Sequence, residues 1–259
     1  MTQLNSSSAD AFAGKTYLIT GASSGMGAAT ARLLGQAGAN VVLTARREQL
    51  CDDVAQDVTR AGGRALVLRA DVTQERDMEQ AVKASVEHFG RLDGAFNNAG
   101  LLGLAQPLHE MSAEAFDAVL RTNVHGVFFA MKHQIAAMLQ SGGGAIVNNA
   151  SIVAHIGFPG LAHYNASKHA VLGLTKTAGL EYFKAGVRVN AVCPGPIETP
   201  MSLAGFGSVD GLNAMMAQTP AGRPGQPDEV ARPVMFLLSS AASYISGQGL
   251  IIDGGYTVQ

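Results

Sequence analysis

The chain has 259 residues, 47% of them hydrophobic and 15% charged, with 31 glycines and a formal net charge of -2. That length suits one large α/β domain or two small ones, and the near-neutral charge gives no electrostatic case for nucleic acid or an anionic membrane surface. The two cysteines, Cys51 and Cys193, form no CxxC pair, which argues against a disulfide framework or a zinc site and fits a reducing compartment.

The N-terminus is polar and Ser-rich and lacks the basic and apolar regions of a signal peptide, so residues 1–11 read as a disordered lead-in. Short apolar runs then predict strands at Thr16–Thr20, Asn40–Thr44, Ala65–Arg69, Leu92–Asn97, Ala145–Asn149, Arg188–Val192 and Leu250–Ile252. Between them, helix patterns cover Gly25–Gln36, Glu48–Arg60, Gln74–Phe89, Ala113–Leu139, Leu161–Phe183 and Asp228–Leu238. This alternation predicts βαβ units: an α/β fold with one Rossmann-type, doubly wound parallel sheet of about seven strands and helices on both faces. No break in composition divides the chain, so a single domain is expected over 12–259. The longest apolar region, near Val124–Leu139, carries His125, Lys132 and His133, and no uncharged run approaches the ~20 residues of a membrane helix. A cytoplasmic protein is the default expectation. Residues 194–227 follow the sixth strand and are rich in Pro, Gly and Met. Ligands of open α/β sheets bind beyond the carboxyl ends of strands, which makes this stretch a candidate substrate lid.

Between the first strand and first helix lies Thr20-Gly21-Ala22-Ser23-Ser24-Gly25-Met26-Gly27. Glycines allow a tight turn and close backbone approach, and the free N–H groups of the helix start attract a pyrophosphate. The spacing is GxxxGxG rather than GxGxxG, and no Gly-Lys-Ser/Thr follows, which excludes a Walker A loop. After the second strand, Ala45 stands where an acid would bind a ribose 2′-hydroxyl, and Arg46 and Arg47 follow. An arginine there accommodates a 2′-phosphate, so NADP is favoured, with NAD as the alternative. Asp71 and Val72 end the third strand, where they could reach the adenine; the plainer role for Asp71 is a helix N-cap.

The chemistry sits in Tyr164-Asn165-Ala166-Ser167-Lys168, with Ser151 thirteen residues upstream of Tyr164. Residues i and i+4 share a helix face, so the Lys168 ammonium can sit beside Tyr164 and pull its phenol, ordinarily near 10, toward working pH. Ser151 could hold a carbonyl oxygen while Tyr164 protonates it. Taken alone, such a pair is more often a surface feature; the phosphate loop gives it a context.

With these pieces in order, the chain resembles the short-chain dehydrogenase/reductase family from Phe12 to Gln259. The resemblance is carried by TGASSGMG at 20–27, DV at 71–72, NNAG at 97–100, Asn123, Ser151, YNASK at 164–168 and PGPIET at 194–199. It implies that Tyr164 is the acid/base and that Lys168 tunes it and binds the nicotinamide ribose. It implies that Ser151 holds the substrate oxygen and that Asn123 supports a proton relay through water and Lys168. Asn98, Ala99 and Gly100 would line the cofactor ribose, and Pro194, Gly195, Ile197 and Thr199 the nicotinamide side. It further implies a homotetramer, with the two long helices pairing across a dimer. The ending Asp253–Gln259 is similar to that of some tetrameric secondary-alcohol dehydrogenases of the family, some of which bind Mg²⁺ there. A single terminal carboxylate or amide is a weak hard-cation site, and no metal ligand is assigned.

The expected reaction is reversible hydride transfer between NADP(H) and a small carbonyl or secondary alcohol. Leu101, Leu102, Ile152, Val153, Phe158 and Leu161, with Met201, Leu203, Phe206, Leu212, Met215 and Met216 from the lid, suggest an apolar pocket. The rival readings are a non-catalytic nucleotide-binding regulator on the same fold, which would not need Ser151, Tyr164 and Lys168 together, and an NAD-dependent alcohol or sugar dehydrogenase.

Overall fold

The computed structural model describes residues 11–258. The expected lead-in lies outside the described residues except for Ala11, which packs against the core. Seven parallel strands form one sheet: β1 (Thr16–Thr20), β2 (Asn40–Ala45), β3 (Arg64–Arg69), β4 (Gly94–Asn97), β5 (Gly144–Asn149), β6 (Val187–Pro194) and β7 (Gly249–Ile252). Their spatial order is β3-β2-β1-β4-β5-β6-β7, with every pairing parallel. The helices are α1 (Gly25–Gln36), α2 (Glu48–Arg60), α3 (Glu75–Phe89), α4 (Ala113–Leu120), α5 (Gly126–Gln140), α6 (Ala162–Glu181), α7 (Pro200–Phe206), α8 (Val209–Met216) and α9 (Pro227–Leu238).

The central strands are apolar because both their faces are covered. In β1, Tyr17 and Ile19 enter the core shared with α1, α2 and α9, whereas Leu18 enters the core shared with α3, α5 and α6. The same alternation places Val41 and Leu43 of β2 on the first face and Val42 on the second. Burying side chains of this size contributes about 1.5–3 kcal/mol each. The strand order reverses between β1 and β4, which opens a crevice at the carboxyl ends of the strands.

Two stretches differ from the sequence reading. The helix expected over Ala113–Leu139 is α4 and α5 joined by a π-helical turn at Arg121–His125. That turn brings Asn123 onto the backbone of Leu101, while Gly126 sits so close to Val72 that an added Cβ would lie 2.8 Å from its Cγ2. The stretch after β6, to which the sequence reading assigned no helix, holds two short helices. Thr199 and Ser202 form a capping box around Pro200 at the start of α7, and Ser208 caps α8. Between them Gly207 takes φ +79°, which a residue with a Cβ rarely adopts.

Candidate active site

The crevice is a cavity of about 650 Å³. Its floor is the turn after β1. Gly21 has φ +65° and lies so near β4 that a Cβ would come 2.8 Å from the Ala99 Cα. Thr20 Oγ1 accepts from Asn98 N (3.0 Å) and Ala99 N (3.1 Å), locking the ends of β1 and β4 together. A Cβ on Gly27 would strike Gly21 O and Asn98 Nδ2. Ser24 precedes α1 without a side-chain cap, so side-chain capping does not use up the first N–H groups of that helix. Gly21, Ser23, Ser24 and Met26 line the cavity; Gly25 and Gly27 instead shape its backbone.

At the adenine end, Ala45, Arg46, Arg47, Ala70, Asp71 and Val72 line the cavity. Arg47 Nη2 donates to Ser23 Oγ (3.1 Å) and Ser24 Oγ (3.3 Å), so it braces the turn, while Arg46 is exposed at the rim. Asp71 is not a helix cap: Gln74 holds that position before α3, and Asp71 Oδ1 accepts from Thr73 N at 3.0 Å.

Ser151, Tyr164 and Lys168 meet on the opposite side of the sheet switch, on the loop after β5 and the first turns of α6. Lys168 is buried, and its Nζ lies 5.4 Å from the Tyr164 ring centroid and donates to the Asn149 carbonyl at 2.6 Å. Burial lowers the lysine to about 8, with the Cys193 side chain opposing that shift. The phenol moves the other way: burial pushes Tyr164 up to about 12, and the nearby Ser151 side chain only partly offsets this. In the chain alone burial therefore governs the phenol, and Lys168 is not among the groups that shift it.

Asn123 does not line the cavity. Its Oδ1 accepts from Leu101 N (2.7 Å), and its Nδ2 donates to Leu101 O (2.9 Å) and Ser167 Oγ (3.0 Å), with no hydrogen bond to Lys168. Thr199 also stays out of the cavity: it caps α7, and its Cγ2 packs near Gly25. Pro194, Gly195 and Ile197 line the cavity, as do Asn98, Ala99 and Gly100. Of the expected apolar wall, Leu102, Ile152, Val153, Phe158, Leu161, Met201, Phe206 and Met215 are there. Leu212 and Met216 are core residues, and Leu101 is partly exposed.

Three further residues went unmarked in the sequence. Tyr256 reaches the cavity from the C-terminal turn, which Asp253 holds through Gly255 N, Thr257 N and Thr257 Oγ1. Among the described residues, no group of three His, Cys, Asp or Glu side chains gathers as a metal site. Ser167 Oγ donates to the Tyr164 carbonyl at 2.7 Å. Asn149 links the two halves: its Nδ2 donates to Asn98 Oδ1, while Asn98 Nδ2 donates to the carbonyls of Thr20 and Gly21. The carbonyls fix the Asn98 amide and hence that of Asn149, leaving the buried Asn149 Oδ1 unpaired. Its position two residues before Ser151 was the available signal.

A glycine cradle, a free helix start and a phenol–hydroxyl–ammonium set in one cavity suit a dinucleotide beside a proton-transfer group. A family profile described as Enoyl-(Acyl carrier protein) reductase matches residues 21–257. The chain is 44% identical over 246 residues to the cyclohexanol dehydrogenase of Acinetobacter sp. (strain SE19), covering 95% of this chain and 96% of that one. The chain belongs to the short-chain dehydrogenase/reductase family. This family member is also 44% identical over 243 residues to the A-factor type gamma-butyrolactone 1'-reductase (1S-forming) of Streptomyces virginiae, covering 93% and 95% of the two chains. Among solved structures it matches levodione reductase with a TM-score of 0.92 at 36% identity, over 95% of this chain and 99% of the other. It is an NAD(P)-dependent oxidoreductase of the CH–OH group acting on a small alcohol or ketone. No helix of the described residues is long and apolar enough to cross a membrane.

Proposed function

We infer that this enzyme interconverts a small, uncharged, ring-bearing ketone and its secondary alcohol with NADP(H) as preferred cofactor and Tyr164 as acid/base. The observation that carries this reading is the convergence of Ser151, Tyr164 and Lys168 on a cavity whose remaining walls are largely apolar. The similarity to the cyclohexanol dehydrogenase supports a cyclic substrate. No Lys or Arg lies in α7 or α8, and Arg223 is held by Glu229 at 2.7 and 2.8 Å, so the lid offers no free cation to an acyl-carrier or phosphorylated substrate.

The cradle fits a dinucleotide, since a Cβ at Gly21 or Gly27 would fill the space that backbone must leave for a pyrophosphate. Gly21, Ser23, Ser24 and Met26 would hold the pyrophosphate; Arg46 would pair with a 2′-phosphate while Arg47 braces the turn. Asp71 and Val72 would meet the adenine, Asn98, Ala99, Gly100 and Lys168 the nicotinamide ribose, and Pro194, Gly195 and Ile197 the nicotinamide. The bound nicotinamide supplies or accepts the hydride. Ser151 donates to the substrate oxygen, where negative charge develops during reduction. Tyr164, a phenol that is protonated at neutral pH and that burial raises further, delivers its proton to that same oxygen. Lys168 is mainly charged at neutral pH and stabilises the phenolate left behind.

Residues 12–259 would act as one domain with α7 and α8 as the substrate lid. Exposed Phe128 and Leu139 on α5 and Leu180 on α6 support pairing of these helices between copies in a tetramer. Light scattering at the monomer mass would refute that assembly.

The cofactor and substrate assignments are tested together with a panel of cyclic ketones, sugars and β-ketoesters under NADPH or NADH. The expected result is turnover of cyclic ketones with NADPH ahead of NADH, and a KM for NADPH about tenfold higher in Arg46→Ala, the loss of a surface charge contact. Equal effects on both cofactors would refute the 2′-phosphate role; turnover confined to sugars would refute the substrate class.

A further inference from the structure

His163, next to the phenol, is buried yet does not line the cavity. Helix α6 begins after Leu161, whose side chain cannot cap it. Within the first turn, His163 Nδ1 lies 2.8 Å from the Tyr164 backbone nitrogen and takes its N–H. Because that N–H can only donate, Nδ1 is the acceptor, and the neutral ring carries its own proton on Nε2. Nε2 is buried without a hydrogen-bond partner among the described residues. It faces Gly103 and the wall formed with Val119: a Cβ on Gly103 would overlap Nε2, and would lie 3.0 Å from His163 Cε1 and 2.9 Å from Val119 Cγ2.

A buried unpaired N–H costs stability, and an apolar side chain of similar size would avoid that cost. The imidazole is thus explained by its Nδ1, which secures the Tyr164 peptide from one end. Ser167 Oγ secures the other end at the Tyr164 carbonyl and is itself held by Asn123, which grips Leu101. Both ends of the Tyr164 residue therefore lead to the Leu101–Gly103 stretch, whose Leu102 lines the cavity.

We propose that His163 is a positioning residue: it aims the Tyr164 phenol by fixing its backbone and registers that phenol against the Leu101–Gly103 wall. The inference rests on Tyr164 being the acid/base. Such a residue should affect the chemical step and leave cofactor binding alone, since the glycine cradle lies elsewhere.

The test compares His163→Asn, His163→Leu, Gly103→Ala and Tyr164→Phe. Asn keeps an acceptor near the Nδ1 position; Leu keeps volume alone; Ala at Gly103, where φ is +77°, strains that wall and displaces the ring from its other side. Each is read by kcat, by cofactor affinity from NADPH fluorescence, by thermal stability, and by the isotope effect on kcat with C4-deuterated NADPH. His163→Leu should lose about 10–100-fold in kcat, as expected for a misaligned reacting group, with cofactor affinity within about twofold of the parent and a larger isotope effect. His163→Asn should recover most of that loss, and Gly103→Ala should lower kcat in the same way. The proposal is overturned if His163→Leu turns over within about twofold of the parent, or if the Asn and Leu variants fall equally. Should the Leu variant not fold, unchanged kcat in Gly103→Ala overturns it. An active Tyr164→Phe would sink the acid/base reading itself, whereas an inactive Tyr164→Phe beside a normal His163→Leu would sink only the positioning role.

Discussion

The cavity has two walls made in different ways. Around the turn after β1, backbone meets backbone: Gly21 lies against Ala99, and Gly27 lies against Gly21 O. Over the other end, α7 and α8 contribute side chains, chiefly Met201, Phe206 and Met215, on helices of seven and eight residues. A wall made of backbone admits no added atom and so fits one ligand. A wall made of methionine and phenylalanine adapts its shape. The cofactor end should therefore be brittle to substitution and the substrate end tolerant, with the Tyr164–Lys168 pair at the junction.

The largest effect is expected at that junction. Lys168→Met should lose about 10²–10⁴-fold in kcat, in the range of acid–base catalysis. It should nevertheless be at least as stable as the parent at pH 7, because a buried ammonium is removed. The sign follows from linkage. Burial lowers the lysine from 10.5 to about 8, so between these values the unfolded chain binds the extra proton. Parental stability should therefore rise relative to Lys168→Met as pH climbs from about 8 to 10.5, by on the order of 3 kcal/mol. Thermal melts of both proteins across that range check it; parallel curves would show that Lys168 is not destabilised by burial.

Gly27→Ala comes next. Its Cβ would meet Gly21 O at 2.5 Å, so the turn must shift, and cofactor affinity should fall by about 100-fold. Titration calorimetry with NADPH measures this, and unchanged affinity would erase the contrast between the walls. The smallest effect belongs to the adaptable wall. Met215→Ala should change the KM for a cyclic ketone by about tenfold while leaving that for NADPH unaltered, the usual worth of a few methylenes in an apolar pocket. A matching change in both would show that the walls are not independent.

Much of the fold was legible because each βα unit carries local signals: a short apolar run, a glycine or polar turn, then a helical period. What local signals do not carry depends on contacts between distant residues. Nothing in the helical pattern of Ala113–Leu139 marks the π turn; it exists where Asn123 meets Leu101 and Gly126 meets Val72. The caps of α7 and α8 were readable at Thr199-Pro200 and Ser208, but helices so short lack a periodic signal. Spacing placed Tyr164 and Lys168 together correctly, yet it could not weigh burial, which raises the phenol and lowers the amine. Asn149 was hidden for a similar reason, since its partner Asn98 is distant in the chain.

The central claim is that Tyr164 moves the proton in a site whose cofactor half stands by itself. Tyr164→Phe should be measured for NADPH affinity and for turnover of the best ketone on the same preparation. Affinity within about twofold of the parent with kcat reduced by at least about 10²-fold is the predicted result. Near-normal turnover with intact NADPH binding would contradict it.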